Sequence, residues 1–160
     1  MKVKLFLSIA ATFLTVANTV LAQAEITKNA PPYDAELAKK LGGNDGGMKN
    51  YLFVILKTGP NDATIKGKER TDIFAGHMAN IRRLSDAGTL AVAGPFGKND
   101  KGYRGLYIFN VATVEEALKI AESDPAVKAG VFIVEATPWF GSASLMATPE
   151  IHKRITKPAP

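Results

Sequence analysis

Apolar and polar residues follow two different periods along the chain, and the switches between them predict a mixed α and β fold. Four short runs are rich in β-branched and aromatic residues, as strands are. We expect these strands at Tyr51–Leu56, Thr89–Ala93, Tyr103–Val111 and Val131–Thr137. Two longer stretches have the spacing of amphipathic helices, which we expect at Thr71–Ala87 and from Thr113 to about Ser123.

The residues at the helix boundaries support both helices. Gly88 follows the first helix at a position where glycine commonly ends one. Thr113 and Glu116 form a capping box at the start of the second, and Asp124 followed by Pro125 is expected to stop it. The resulting order, β-α-β-β-α-β, predicts a ferredoxin-like α+β fold, with a four-stranded antiparallel sheet and two helices on one face.

The predicted strands are too apolar for a sheet that has one face in water. Tyr51–Leu56 is apolar at every position, and Leu106–Phe109 and Val131–Val134 are nearly so. Strands with one solvated face usually alternate, whereas strands buried on both faces do not. Because the flanking segments look too polar to cover the second face alone, we expect a second copy of the chain to cover it. This predicts a homodimer.

The N-terminal residues do not share this pattern. Met1–Ala22 has two lysines, then an apolar stretch, then small residues at positions −3 and −1 of a cleavage site, as in a secretory signal peptide. A buried first helix or a membrane anchor is the alternative, but the apolar run is short for a membrane span. We expect an exported protein, periplasmic or secreted, with no stable membrane anchor after cleavage.

The rest of the chain divides into a folded unit and two flanking segments. Residues 23–48 are rich in glycine and contain paired prolines, so we expect a linker or N-terminal arm, in which Ala35–Leu41 forms one or two helical turns. Residues 49–140 contain all the predicted elements. Residues 141–160 have only scattered apolar positions and are expected to form a C-terminal arm.

Composition excludes several classes of function. The chain has no cysteine, which rules out thiol catalysis, disulfides and iron–sulfur clusters. Its formal charge of +5 falls to +3 once Lys2 and Lys4 leave with the signal peptide. The aromatic residues are expected in buried strands rather than on a basic platform, so nucleic-acid binding is not expected. His77 and His152 lack metal-ligand spacing, and we expect neither a metal nor another cofactor.

Connectivity brings several polar groups to one edge of the predicted sheet. The start of the first helix, the turn Gly94–Phe96 and the end of the second helix all lie at the same end of a ferredoxin-like sheet. His77 in the first helix, Arg104 after the turn, and Asp124 should therefore lie close together. The candidate catalytic residues are His77 and Asp124, and the candidate substrate-binding residues are Gly94, Pro95, Phe96 and Arg104.

The two candidate catalytic residues also have plain structural explanations. His77 lies in the apolar stripe between Ile73 and Ile81, which fits a core histidine satisfied by the backbone. Asp124 before Pro125 fits a helix N-cap. The capping role of Asp124 is compatible with a functional one, because a carboxylate has two oxygens and can also orient an imidazole.

Several motifs match a known family in order and spacing. They are Gly76-His77-Met78-Ala79-Asn80-Ile81, Leu90-Ala91-Val92-Ala93-Gly94-Pro95-Phe96, Arg104-Gly105, Glu116-Ala117, Asp124-Pro125, Gly130 and Pro138-Trp139. Residues 50–140 with these motifs resemble the YciI-like (YCII-related) family. The resemblance implies a dimeric α/β-barrel, similar to muconolactone isomerase-like proteins, and a His–Asp site at His77 and Asp124. It implies no particular reaction. The chain departs from common members of the family in carrying an export signal and both arms.

These residues suit acid–base chemistry on a small organic molecule. An imidazole oriented by Asp124 can act as a general base or acid, and Arg104 can hold a carboxylate or enolate oxygen. Gly94 allows a close approach of the backbone, and Phe96 can supply an apolar wall. We expect a cofactor-independent reaction of the lyase, isomerase or dehalogenase type. The alternatives are a non-catalytic small-molecule binding module that uses the same pocket, and a purely structural dimer.

Overall fold

The computed structural model describes residues 31–157, so the predicted signal peptide lies outside the described residues. The helices are α1 (Ala35–Leu41), α2 (Gly67–Asp86), α3 (Val114–Glu122), α4 (Pro125–Lys128) and α5 (Thr148–Ile155). The strands are β1 (Met48–Thr58), β2 (Leu90–Pro95), β3 (Tyr103–Phe109) and β4 (Phe132–Ser142), and a 3-10 turn spans Ala143–Ala147. Within residues 31–157 no helix is long and apolar enough to cross a membrane.

The four strands form one antiparallel sheet in the order β2-β3-β1-β4. β1 is central: Val54 lies opposite Tyr107 of β3 on one side and opposite Ala136 of β4 on the other. This strand order, with α2 and α3 as the two crossing helices, is that of a ferredoxin-like α+β fold. The fold class predicted from the sequence is therefore confirmed.

Three element boundaries differ from the predicted ones by three residues or more. β1 begins at Met48 rather than Tyr51, and β4 continues to Ser142, because these two strands pair along their whole length. β4 runs through Pro138, which an edge strand tolerates since one side of its backbone has no partner strand. α2 begins at Gly67, about one turn before the predicted start.

One face of the sheet packs against the helices and contains the main hydrophobic core. The buried residues of this core are Leu52, Val54, Leu56, Leu84, Leu90, Tyr107, Phe109, Ala117, Ala121, Ala126, Val131 and Phe132.

The predicted start of α3 and the predicted end of α2 are both present. Thr113 Oγ1 accepts a hydrogen bond from the N–H of Glu116 at 3.1 Å. Gly88 ends α2 with a φ of 71°, a left-handed conformation that glycine adopts without strain.

The C-terminal segment covers part of the opposite face of the sheet. Leu145 and Met146 in the 3-10 turn pack against a second buried cluster, formed by Tyr51, Ala91 and Ile108. Residues 141–157 thus form the end of β4, the 3-10 turn and α5, where the sequence pattern predicted an arm too polar to cover this face alone. The segment has few apolar residues, and they pack against strands that are distant in sequence. The local sequence pattern therefore does not indicate these contacts.

Another part of the same face is open to solvent. Ile133 and Trp139 are 47% and 39% exposed. The Trp139 ring lies 5.8 Å from the ring of Tyr51 and 6.4 Å from that of Phe53, measured between centroids. We call the part of this face that contains Phe53, Ile133 and Trp139 the open sheet face; Glu135 and Thr137 separate Ile133 from the two aromatic rings.

Candidate functional site

Two helices bring His77 and Asp124 into contact. His77 lies midway along α2, and Asp124 is the N-cap of α4, where Pro125 occupies the first helical position. His77 Nδ1 and Asp124 Oδ1 are 2.9 Å apart. The same Oδ1 accepts a hydrogen bond from the N–H of Ala126 at 2.9 Å. One carboxylate oxygen therefore caps a helix and contacts the imidazole at the same time.

Asp124 is completely buried, and both of its oxygens are hydrogen-bonded. Oδ2 accepts a hydrogen bond at 2.9 Å from Nδ2 of Asn80, which lies one turn after His77 on α2. Burial favours the neutral acid, but hydrogen bonds from His77, Asn80 and the Ala126 N–H outweigh it. They hold the pKa of Asp124 below its usual value of 3.8. Asp124 is therefore an ionised acceptor at neutral pH.

An ionised Asp124 determines which nitrogen of His77 is available. Since a carboxylate can only accept, Nδ1 of the neutral imidazole carries the proton and donates it to Asp124. Nε2 is then unprotonated, and it has no hydrogen-bonding partner among residues 31–157. No buried side-chain nitrogen or oxygen in that range lacks a partner, so the unpaired Nε2 of His77 is accessible to solvent.

Aromatic rings confine the imidazole of His77. Its centroid lies 5.9 Å from that of Phe74 and 5.6 Å from that of Phe132, with the rings edge-on in both pairs. Tyr107 approaches from β3, and its hydroxyl oxygen is 3.4 Å from His77 Nδ1. Burial, together with the nearby charge of Asp124, raises the pKa of Tyr107 far above its usual value. The tyrosine hydroxyl therefore stays protonated beside the pair.

His77 lines a cavity of about 530 Å³ between α2 and the strands β2 and β3. This volume falls within the usual range for small-molecule sites. The apolar part of the lining consists of Leu56, Phe74, Met78, Ile81, Ala93, Gly94, Pro95, Phe96, Gly105, Leu106 and Phe132. The polar part consists of His77, Arg104, Tyr107 and His152. The cavity is thus mostly apolar, with a few polar groups on its wall.

The structure brings the residues predicted from the sequence together. Those that line the cavity are His77, Gly94, Pro95, Phe96 and Arg104. Asp124 contacts His77 but is not part of the lining. A Cβ at Gly94 would meet nothing within 4 Å, so this glycine leaves open space at the wall instead of avoiding a clash. The catalytic and substrate-binding roles of these residues stay predictions.

Arg104 is held at the cavity wall by Asp62, which the sequence analysis did not single out. Asp62 Oδ2 accepts a hydrogen bond from Arg104 Nη1, and Asp62 Oδ1 accepts one from Arg70 Nη2, both at 2.7 Å. The hydrogen bond from Arg70, with that from Arg104, holds the pKa of Asp62 below 3.8 despite partial burial. Two guanidinium groups and one carboxylate leave a net positive charge beside the cavity.

Sequence reasoning also missed Asn80, Tyr107 and His152. Asn80 had a signal, because residues three apart share a helix face and His77 was already a candidate. Tyr107 occupies a strand position where an aromatic residue fits the core, and His152 falls in the segment predicted to be an arm. Among residues 31–157, no group of three or more His, Cys, Asp or Glu side chains is arranged to hold a metal ion.

The fold and the site define an α+β protein with a buried His–Asp pair beside a small-molecule-sized cavity. The sequence profile of the YCII-related domain matches residues 51–140, more than half of the chain. The chain therefore belongs to the YCII-related domain family. The matched part contains His77, Asp124 and Arg104, whereas α5 and His152 lie outside it.

Among solved structures, one similar chain is 5-chloro-2-hydroxyhydroquinone dehydrochlorinase from Burkholderia phenoliruptrix AC1100, in complex with 2,5-dihydroxybenzoquinone. It is 27% identical to this chain in sequence, and the similarity covers 55% of this chain and 92% of that one, with a TM-score of 0.39. No curated protein gives a significant match to this chain.

Proposed function

We propose that this protein acts on a small organic molecule, with His77 as the general base or acid and Asp124 as the residue that orients it. The observation that carries the proposal is the unpaired Nε2 of His77 beside the cavity, with Nδ1 hydrogen-bonded to a fully buried carboxylate. A neutral imidazole in this tautomer takes a proton at Nε2 and can return it later. The reaction is of the lyase, isomerase or dehalogenase type and needs no cofactor.

Arg104 supports this chemistry through its charge. Removal of a proton next to a carbonyl group leaves negative charge on an oxygen, and a fixed guanidinium nearby stabilises that charge. Asp62 fixes the Arg104 side chain, while Arg70 offsets the charge of Asp62. We therefore propose a substrate with an apolar body and at least one oxygen that carries or develops negative charge.

A second candidate function is a binding module without catalysis. The mostly apolar lining of the cavity favours it, because such a surface binds small molecules whether or not they react. In this role His77 and Arg104 form hydrogen bonds with the ligand, and no proton is transferred. The two functions differ in one measurable respect, which is whether the bound molecule is converted.

Ligand-dependent thermal stabilisation tests both functions, because a bound molecule raises the unfolding temperature whatever the reaction is. We expect stabilising compounds among small unsaturated acids and ketones. Each such compound is then incubated with the protein and analysed by mass spectrometry. Conversion supports the enzyme, and binding without conversion supports the module. A screen in which no compound stabilises the protein would contradict both.

We also propose that the protein is exported after removal of Met1–Ala22, to the periplasm or the medium, and that it works as a homodimer. The charge and hydropathy pattern of the N-terminal residues supports export. The open sheet face supports the dimer, since Trp139 remains exposed beside Phe53 and Ile133 is exposed further along the same strand. A second copy packed on this face about a two-fold axis would remove these side chains from water.

Native mass spectrometry of the protein from an exporting host measures both properties. We expect a subunit that begins at Gln23 and a complex of two subunits. Trp139→Arg should shift the complex toward monomers, because it places an unpaired charge in the interface. Phe140→Arg, on the opposite face of the same strand, is the matched control. A subunit that retains Met1 would contradict export, and a stable wild-type monomer would contradict the dimer.

A further inference from the structure

A segment C-terminal to the matched domain forms part of the cavity wall. His152 lies on α5, yet it lines the same cavity as His77. The segment is held on both sides. Met146 packs against the second buried cluster, and Lys153 Nζ lies 2.8 Å from Asp86 Oδ1 at the end of α2. These contacts place α5 beside the edge strand β2 and the C-terminal half of α2.

α5 also forms one wall of a second, smaller and partly open cavity of about 140 Å³. The residues that line it are Ile81 and Ser85 of α2, Leu90–Ala93 along β2, and Thr148, Pro149 and His152 of α5. Ile81, Ala93 and His152 line both cavities, so His152 lies where the two meet. Of these three shared side chains, only that of His152 is polar. Without α5, this smaller cavity would lose one of its walls.

The side chain of His152 is exposed and loosely held. Its Nε2 lies 3.3 Å from the hydroxyl of Thr156, a long contact at the end of the helix. No other hydrogen bond to its ring is present among residues 31–157. An imidazole of this kind can pack against a bound molecule and offer it a hydrogen bond.

We propose that α5 completes the ligand site and that His152 selects which ligands bind. The ligand is an elongated small molecule. Its anionic end lies near Arg104 in the larger cavity, and its apolar tail passes the imidazole of His152 into the smaller cavity. This inference rests on the proposed function, because it takes the larger cavity as the ligand site. It adds the shape of the ligand and a specificity-determining residue outside the YCII-related domain.

A series of aryl acids tests this inference; they share a carboxylate and a phenyl group and differ in the length of the alkyl chain between the two. Phenylacetate, 4-phenylbutyrate and 6-phenylhexanoate serve as probes, and the imidazole NMR signals of the two histidines report binding. In the wild-type protein we expect the dissociation constant to fall as the chain lengthens, because more apolar surface is buried. The signals of His152 should move most with the longest acid.

Three variants separate binding of the apolar tail in the smaller cavity from binding of the anionic end in the larger cavity. His152→Ala should raise the dissociation constant of 6-phenylhexanoate about fivefold, the effect of losing a contact worth roughly one hydrogen bond. The dissociation constant of phenylacetate should stay nearly unchanged. Ser85→Phe fills the smaller cavity and should remove the advantage of the longer acids. Arg154→Ala, an exposed position of the same helix, is the control and should change no dissociation constant.

The outcomes distinguish this inference from the proposed function. If phenylacetate binds and moves the His77 signals, but longer acids gain no affinity, the inference is wrong. The proposal that the larger cavity binds a small anionic molecule beside His77 is then retained. The same conclusion follows if the gain survives both His152→Ala and Ser85→Phe. If no acid moves the signals of either histidine at millimolar concentration, the inference is wrong, because the larger cavity does not bind such ligands; the stabilisation screen then decides the proposed function on its own.

Discussion

Replacing His77 with glutamine is expected to lower turnover of the substrate by about 10²–10⁴-fold, the usual contribution of a general acid or base. The amide group of glutamine keeps a donor near Asp124 and a similar size, but it cannot take up a proton at neutral pH. Ligand affinity should therefore change much less than turnover. The measurement is kcat and KM for a substrate found by the stabilisation screen, with Kd measured separately.

The control for this prediction is Arg82→Gln, an exposed position on the same helix, which should leave turnover and binding unchanged. Loss of turnover with binding retained supports catalysis by His77. A loss confined to binding supports the binding module. Unchanged turnover and binding in a folded His77→Gln protein would show that the His–Asp pair has no part in function.

Replacing Asp124 with alanine is expected to have the largest effect on stability, a loss of about 3–5 kcal/mol in the free energy of unfolding. The substitution removes three hydrogen bonds at a fully buried position and leaves the donors of His77, Asn80 and Ala126 without an acceptor. It also removes the N-cap of α4. Denaturant unfolding measures the loss, with the exposed Glu122→Ala as control. A change below about 1 kcal/mol would contradict this account of Asp124.

Asp124→Asn removes the charge of this side chain but keeps its size, so it tests the charge alone. The pKa of Asp124 in the folded protein lies below 3.8, so the ionised carboxylate stabilises the fold above the pKa of the unfolded state. That stabilisation is lost as the pH falls through the lower, folded-state pKa. An asparagine does not titrate, so the stability of the variant should fall less steeply with pH below about 4, although Asp62 still titrates in both proteins. Equal slopes would contradict an ionised Asp124.

The candidate site could be predicted from the sequence because it follows from connectivity. In a β-α-β-β-α-β chain the antiparallel order alone brings the first helix, the hairpin and the end of the second helix to one edge. This is why His77, Arg104 and the turn at Gly94–Phe96 were expected near Asp124, although they are far apart along the chain. The contact between His77 and Asp124 follows the same argument, helped by the Asp-Pro helix start.

The residues that hold the site in place were harder to predict, because their roles depend on tertiary contacts. Asp62 comes from a loop whose path no periodicity describes, and only the folded chain shows that it bridges Arg70 and Arg104. Asn80 is one polar residue among several on an amphipathic helix. Its link to Asp124 requires the packing of α2 against α4.

The C-terminal helix was missed for a related reason. α5 has eight residues, and two of its apolar side chains, Ile151 and Ile155, remain exposed. Such a short and weakly apolar segment carries little helical signal of its own. Its position depends on the packing of the preceding 3-10 turn against the sheet and on contacts with α2, so the extension of the cavity by His152 could not be read from local pattern.

The tautomer of His77 tests the central claim most directly, and NMR of ¹⁵N-labelled protein measures it. The chain has two histidines, so only two imidazole rings contribute signals, and His152→Gln assigns them. We expect the neutral ring of His77 to carry its proton on Nδ1 and to leave Nε2 unprotonated, because Asp124 accepts at Nδ1. A neutral His77 ring with its proton on Nε2 would contradict the claim that Asp124 orients this imidazole toward a ligand.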